Sequence, residues 1–158
     1  MRAVYAGSFD CYTNGHHDIV KKASAMFEKL YIVVAANSEK SRRYPADLMA
    51  DAINCTLKEE GITNCVVQVY EGVIADFCNE NDIGYTIRGL RNRMDYDYEE
   101  NIAAVNKLIA PKLETIYFRA DNSGISSSLI AELSKYRKDF SGLVPRAVNN
   151  LLLEYQSN

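Results

Sequence analysis

The chain of 158 residues has only two histidines, and its four cysteines form neither a CxxC pair nor a Cys/His set of the zinc-binding type. This spacing indicates free thiols of a reducing compartment, so we expect a cytoplasmic protein. No apolar run approaches the ~18 residues of a membrane span, and the N-terminus lacks the pattern of a signal peptide. We therefore expect neither an anchor in a membrane nor a membrane partner.

An excess of positive charge is also missing, because the formal net charge is −3 at pH 7. Proteins that bind nucleic acid mainly through charge are usually basic, so we expect no nucleic-acid partner. Apolar residues make up 47% of the chain and charged residues 25%, which is ordinary for a globular domain. No linker, repeat or low-complexity segment divides the chain, and we expect one domain over residues 1–158.

Runs with strand character alternate along the chain with runs of helical periodicity. The predicted strands cover residues 2–6, 31–36, 65–70, 85–88 and 115–120. The predicted helices cover residues 18–30, 46–60, 74–81, 95–109, 126–136 and 145–155. This alternation predicts an α/β fold, a doubly wound five-stranded parallel sheet with helices on both faces. Ligands of such sheets bind beyond the carboxyl ends of the strands, near the point where strand order reverses.

The loop after the first strand contains both histidines. Gly7 allows a close approach of the backbone to a ligand, and Ser8 offers a hydroxyl and an amide. His16 lies near a predicted helix N-terminus, where the helix dipole favours anions, so its imidazole is suited to a phosphate. For His17 we expect a capping or surface role.

Cationic side chains follow the second and fourth strands. Lys40 belongs to a polar basic run at 40–43 that is either a solvated face or a site for a negative group. Arg88 ends an apolar strand and needs an anionic partner, because an unpaired buried charge is costly. That partner is either a local carboxylate such as Asp95 or a ligand phosphate held by the planar guanidinium.

After the fifth strand, Gly124 precedes three serines at 126–128 that open a helix. One serine there is an N-cap, whereas three supply several hydroxyls and free amides to one place, as a polyphosphate requires. No Cys/His pair or Ser-His-acid set that would activate a nucleophile is evident. Together the loops indicate a site that holds and neutralises phosphates.

Four stretches extend this interpretation: GSFDCYTNGHHDIV, IRGLRNRMDYDYE, ISSS and SGLVPRAV. In order and along essentially the whole chain, they resemble the phosphopantetheine adenylyltransferase family, of the nucleotidyltransferase superfamily with the (T/H)xGH signature. The resemblance implies a Rossmann-like fold and the reaction of ATP with 4′-phosphopantetheine to give dephospho-coenzyme A and pyrophosphate, in coenzyme A biosynthesis. It also implies use of Mg²⁺ with ATP, a homohexamer, and dephospho-coenzyme A and coenzyme A as product or feedback ligand.

The resemblance also implies roles for individual residues. His16 would be the catalytic residue that stabilises the pentacovalent α-phosphate. Ser8 and Lys40 would place the attacking phosphate of phosphopantetheine, and Ile74 and Arg88 would contact the same substrate. No residue is implied as a metal ligand. The implied ATP-binding residues are Ser8, Phe9, His16, Gly89, Leu90, Arg91, Glu99, Asn122, Ser123, Gly124, Ile125, Ser126, Ser127 and Ser128.

Three positions depart from the family pattern: Cys11 replaces a usual Pro, Met49 a common Arg, and Gly124 a usual aromatic residue. Because Gly124 before the serines is similar to related cytidylyltransferases, one alternative is a nucleotidyltransferase that uses CTP or another phosphorylated acceptor. A second alternative is a non-catalytic module that senses a nucleotide or coenzyme A. The intact His16, Lys40 and Arg88 argue against that module.

Overall fold

The computed structural model describes residues 1–37, 39, 41–121 and 124–157, and in these ranges the chain forms five strands and six helices. The strands are β1 (Arg2–Gly7), β2 (Lys29–Ala35), β3 (Cys65–Tyr70), β4 (Tyr85–Leu90) and β5 (Glu114–Arg119). The helices are α1 (Asn14–Met26), α2 (Ala46–Glu59), α3 (Ile74–Glu80), α4 (Arg93–Ile109), α5 (Ser127–Lys135) and α6 (Arg146–Ser157). Among the helices of these ranges, none is long and apolar enough to span a membrane.

The strands form one parallel sheet in the order β3-β2-β1-β4-β5, which confirms the predicted doubly wound architecture. From β1 the chain builds the sheet outward through β2 and β3, and then returns to the other side of β1 to add β4 and β5. The strand order therefore reverses between β1 and β4. A crevice opens at that point because the two connections leave in opposite directions.

Both faces of the sheet are covered, as its apolar strands require. On β2, Ile32 and Val34 belong to the larger core cluster, whereas Tyr31 and Val33 belong to the second cluster on the opposite face. Helices α1, α2, α5 and α6 contribute buried side chains to the first cluster. Helix α3 and residues that follow α4 contribute to the second, so the alternation of strand side chains separates two cores.

Helix α1 differs at both ends from the predicted span of 18–30. It begins at Asn14 because Thr13 is its N-cap: the Thr13 side chain accepts from the His16 amide, and the His16 side chain accepts from the Thr13 amide. This reciprocal pair is a capping box. Leu30, predicted as helical, lies instead in β2, where it pairs with Ala3 of β1.

Candidate active site

A cavity of about 470 Å³ opens at the carboxyl ends of β1 and β4, where the strand order reverses. The loop after β1, the first turn of α1, the end of β4 and the start of α5 form its wall. A larger groove of about 790 Å³ between α5 and α6 contains none of the predicted site residues. The smaller cavity has these predicted residues in its lining: Ser8, Phe9, His16, Arg88, Gly89, Arg91, Glu99, Ile125, Ser126, Ser127 and Ser128.

The remaining predicted residues are not brought to this cavity by the described structure. Ile74 begins α3, and Leu90 is the last residue of β4; neither contributes to the lining formed by the described residues. Gly124 is exposed and also lies outside that lining. The predictions for Lys40, Asn122 and Ser123 concern positions outside the described residues.

His16 occupies the third position of α1, with one ring nitrogen fixed by the chain. Its Nδ1 accepts a hydrogen bond from the backbone N–H of Thr13 at 3.0 Å. Burial, together with the positive charge of Arg91, lowers the pKa of His16 to about 4. The imidazole is therefore neutral at pH 7, and since Nδ1 is an acceptor, the proton is at Nε2. The site thus has a neutral N–H donor that keeps the same protonation state across the physiological range.

Arg88 is held at the end of β4 by two partners. Its Nε and Nη2 donate to the two carboxylate oxygens of Glu99 at 2.6 and 2.8 Å, and its Nη1 donates to the carbonyl of Ala6 at 3.0 Å. Burial opposes the charge of Arg88, but the hydrogen bonds and charge of Glu99 raise its pKa overall. Among the described residues these contacts use three of the five guanidinium N–H groups.

The local carboxylate at Arg88 is thus Glu99 rather than Asp95. Asp95 binds Arg91 instead: its Oδ2 accepts from the backbone N–H at 2.9 Å and from Nε at 3.3 Å. Arg91 is more exposed than Arg88, with 44% of its side chain accessible against 26%. Two cationic side chains therefore border the cavity, one rigidly paired and one nearer to solvent.

The three serines have different environments. Ser126 is the N-cap of α5, since its side chain accepts from the backbone N–H of Leu129 at 3.1 Å. Ser127 donates its hydroxyl to the carbonyl of Cys11 at 2.6 Å and so joins α5 to the loop after β1. Ser128 lies exposed in the first turn. One hydroxyl thus caps α5 and a second fixes α5 to the loop after β1, and the helix N-terminus beside the cavity is of the kind that favours anions.

The basic run at 40–43 contains a structural residue that the sequence did not distinguish. Arg42 is 16% exposed, and its Nη1 donates to the carbonyls of Ser8 at 2.7 Å and Ala35 at 3.3 Å. The Asp10 carboxylate accepts from the backbone N–H groups of Arg43 and Tyr44 at 2.8 and 3.0 Å. These contacts join the loop after β1 to the loop after β2, so Arg42 is not part of a solvated face.

Sequence reasoning also missed Thr13 and misplaced His17. Thr13 lines the cavity and orients His16, but its capping box uses a histidine where Glu or Gln is usual, so the motif was not recognised.

The expectation of a capping or surface role for His17 was wrong, because only 4% of its side chain is exposed. The sequence signal that could have indicated its burial is the helical spacing of His17 with the buried residues Val20 and Ala23 of α1.

Comparisons with known proteins place the chain in a class of proteins. Residues 4–133 match the family model described as cytidylyltransferase-like. A nicotinic acid mononucleotide adenylyltransferase of Plasmodium falciparum, solved in complex with NaAD, shares the fold with a TM-score of 0.72 and 13% identity, covering 98% of this chain and 95% of that chain. The fold and the family match therefore define a nucleotidyltransferase of Rossmann-like architecture.

Curated relatives narrow the class. The phosphopantetheine adenylyltransferase of Shouchella clausii is 35% identical over 155 residues, which are 97% of this chain and 96% of that protein. The enzyme of the same name from Streptococcus equi subsp. zooepidemicus is 39% identical over 160 residues, which are 98% and 94% of the two chains. The chain belongs to the phosphopantetheine adenylyltransferase family.

Proposed function

We propose that this protein transfers the adenylyl group of ATP to 4′-phosphopantetheine, releasing pyrophosphate and forming dephospho-coenzyme A in coenzyme A biosynthesis. The observation that carries the proposal is the cavity between β1 and β4, which joins the neutral His16, the paired Arg88 and the N-terminus of α5. Relatives that bear this activity in their name match nearly the whole chain.

The arrangement suits a reaction whose nucleophile is already a phosphate anion. Such a nucleophile requires no strong general base, so catalysis comes from aligning two anions that repel each other and from donors aimed at the developing charge. His16 supplies the Nε2–H for the α-phosphate of ATP. Ser8, Lys40, Arg88 and Ile74 bind the acceptor, while Arg91, Glu99, Gly89, Leu90 and the segment 122–128 bind ATP together with Ser8, Phe9 and His16.

Mg²⁺ in this proposal binds to the protein together with ATP. The two carboxylates of the cavity, Asp95 and Glu99, are bound to arginines, and the described residues contain no cluster of three or more metal-ligating side chains. Mg²⁺ typically keeps several waters and binds substrate phosphates rather than an all-protein cage. The donor set thus fits a metal carried by ATP, which would neutralise charge on its phosphates.

A homohexamer is part of the proposal. One face of α4 exposes the apolar side chains of Met94, Tyr98, Val105 and Leu108, which are between 55% and 83% accessible. These positions repeat at helical spacing around the polar Asn101, and an exposed apolar surface of this kind is typical of one that is covered in an assembly. Second copies of this chain are the expected partners, and coenzyme A or its dephospho form is the expected product or feedback ligand.

We also infer a cytoplasmic location. All four cysteines are free, and two of them, Cys11 and Cys78, are buried. Free thiols are typical of a reducing compartment.

The test of the activity is pyrophosphate release from ATP or CTP, with and without 4′-phosphopantetheine. We expect release that requires the acceptor and strongly prefers ATP, because a wrong base leaves buried polar groups unpaired. Comparable rates with CTP would instead support the cytidylyltransferase alternative. Nucleotide binding without any release would support a sensing module.

Acceptor binding is tested separately by calorimetry of Lys40→Ala. The variant should lose affinity for 4′-phosphopantetheine while its affinity for ATP stays within a few-fold. Equal losses for the two ligands would contradict the division of roles. Hydrogen exchange of 122–128 should slow when ATP binds, since those residues are assigned to the nucleotide.

A further inference from the structure

Tyr12 lies between the two histidines and touches both. It is fully buried, and its ring stacks on the imidazole of His16 with a centroid distance of 5.7 Å and an interplanar angle of 24°. The Tyr12 hydroxyl is 3.0 Å from Nδ1 of His17. One residue therefore connects the proposed catalytic imidazole with the neighbouring histidine, which does not line the cavity.

His17 in turn contacts helix α2. Its Nε2 is 3.0 Å from Oε2 of Glu60, the C-cap residue of α2. The two atoms are close without the alignment of a hydrogen bond, so the contact is electrostatic. The Glu60 side chain is 43% exposed, whereas His17 is 4% exposed. The chain of contacts thus runs from the surface end of α2, through His17 and Tyr12, to His16.

The protonation state of Tyr12 indicates which group donates in its contact with His17. Burial raises the pKa of Tyr12 well above its ordinary value, so its hydroxyl remains protonated and can donate to Nδ1 of His17. If Nδ1 of His17 accepts, its proton is on Nε2, beside the Glu60 carboxylate. The negative charge of Glu60 then favours this orientation of the His17 ring without a hydrogen bond.

His16 is consequently restrained on three sides. Tyr12 lies against its face, the ring of Phe9 meets it edge-on at a centroid distance of 5.0 Å and 82°, and Thr13 holds Nδ1. Phe9 and Tyr12 also contact each other at 5.4 Å. Rotation of the imidazole would break at least one of these contacts, so the direction of Nε2–H is fixed.

We propose that Tyr12 is a positioning residue for His16, and that His17 and Glu60 hold Tyr12 in place from α2. The rate effect of this role rests on the proposed adenylyl transfer, whereas the restraint on His16 does not. The adjacent histidines then have separate tasks: His16 donates into the cavity, and His17 anchors the ring that packs on His16.

Kinetics provide the first test. Tyr12→Phe keeps the ring and removes its hydroxyl, and His17→Leu removes the anchor. Each should lower kcat by about tenfold while KM for both substrates stays within about twofold, because a misdirected donor weakens the transition state rather than substrate binding. The double variant should lose little more than either single variant, since both changes break one contact. Tyr31→Phe, at a buried tyrosine of the other core cluster, is the matched control and should be silent.

Nuclear magnetic resonance of the histidine rings provides the second test and needs no substrate. With only two histidines, His17→Leu leaves a single imidazole signal set, that of His16. Tyr12→Leu should shift the His16 ring signals by removing the ring current of the stacked tyrosine, and Tyr31→Phe should leave them in place. If Tyr12→Leu does not fold, Tyr12→Phe should still broaden or shift these signals as the unanchored ring moves.

Two results would overturn the positioning role: His16 signals that are unmoved in the Tyr12 and His17 variants, or variants that change KM alone. If the Tyr12 variants shift the His16 signals but the wild-type protein releases no pyrophosphate, the proposed function is refuted and the restraint on His16 is established.

Discussion

The guanidinium of Arg88 and the carboxylate of Glu99 meet as two planar forks, with Nε and Nη2 at 2.6 and 2.8 Å from the two oxygens. Glu99 is 8% exposed, and the guanidinium of Arg88 compensates its charge. Arg88→Met should therefore cost about 1–3 kcal/mol of unfolding free energy, because the buried carboxylate loses its partners. Urea unfolding measures the loss.

The more exposed pair Arg91–Asp95 is the matched control for this prediction. Arg91→Met removes the same type of charge, but exposed pairs contribute only about 0–1 kcal/mol. A similar loss of unfolding free energy in both variants would mean that the burial of Glu99 does not determine the loss in Arg88→Met.

His16→Ala should abolish most turnover and leave ATP binding nearly unchanged. Removing one donor aimed at developing charge typically lowers kcat by about 10²–10³. The variant also loses the acceptor for the Thr13 amide, so His16→Gln is the control: glutamine at the third helical position preserves a capping box. Pyrophosphate release and calorimetry with ATP measure the two quantities. Near-normal turnover in both variants would contradict the role of His16.

Stability should depend on pH through His16 in a defined window. Its pKa is lowered from 6.5 to about 4 in the folded state, so between these values the unfolded chain binds a proton that the folded chain does not. Stability is therefore complete above pH 6.5 and falls as pH decreases toward 4, by at most about 1.4 kcal/mol per pH unit. Urea unfolding from pH 4 to 7 should show a shallower slope for His16→Gln. Identical slopes would contradict the lowered pKa.

Alanine variants of Ser126 and Ser128 should differ in which property they change, the stability of the fold or the KM for ATP. Ser126→Ala removes the N-cap of α5 and should cost about 1 kcal/mol of stability. Ser128→Ala removes an exposed hydroxyl of the same helix turn, so it should preserve stability and raise KM for ATP. Thermal unfolding and kinetics of the two variants, side by side, test this contrast; a stability loss at Ser128 would refute it.

The tertiary structure gives several residues of the predicted motifs contacts within the protein that the sequence did not indicate. The three serines were assigned to polyphosphate, yet two of them are engaged with Leu129 and Cys11. Arg42 was part of a basic run in the sequence. In the fold the loop after β1 lies next to it, and Arg42 donates a hydrogen bond to the Ser8 carbonyl. Such partners are distant in sequence, so no local pattern names them.

The sequence by itself determined the alternation of strands and helices, the parallel sheet, and the edge of the sheet at which the loops predicted to bind phosphate meet. These follow from periodicity and from the handedness of βαβ connections, which act on local segments. Only the tertiary structure decided that Arg88 pairs with Glu99 and that His17 is buried between Tyr12 and Glu60. Those outcomes depend on which helices pack against the strand ends, and a side chain is charged, neutral, exposed or buried according to neighbours that folding alone brings to it.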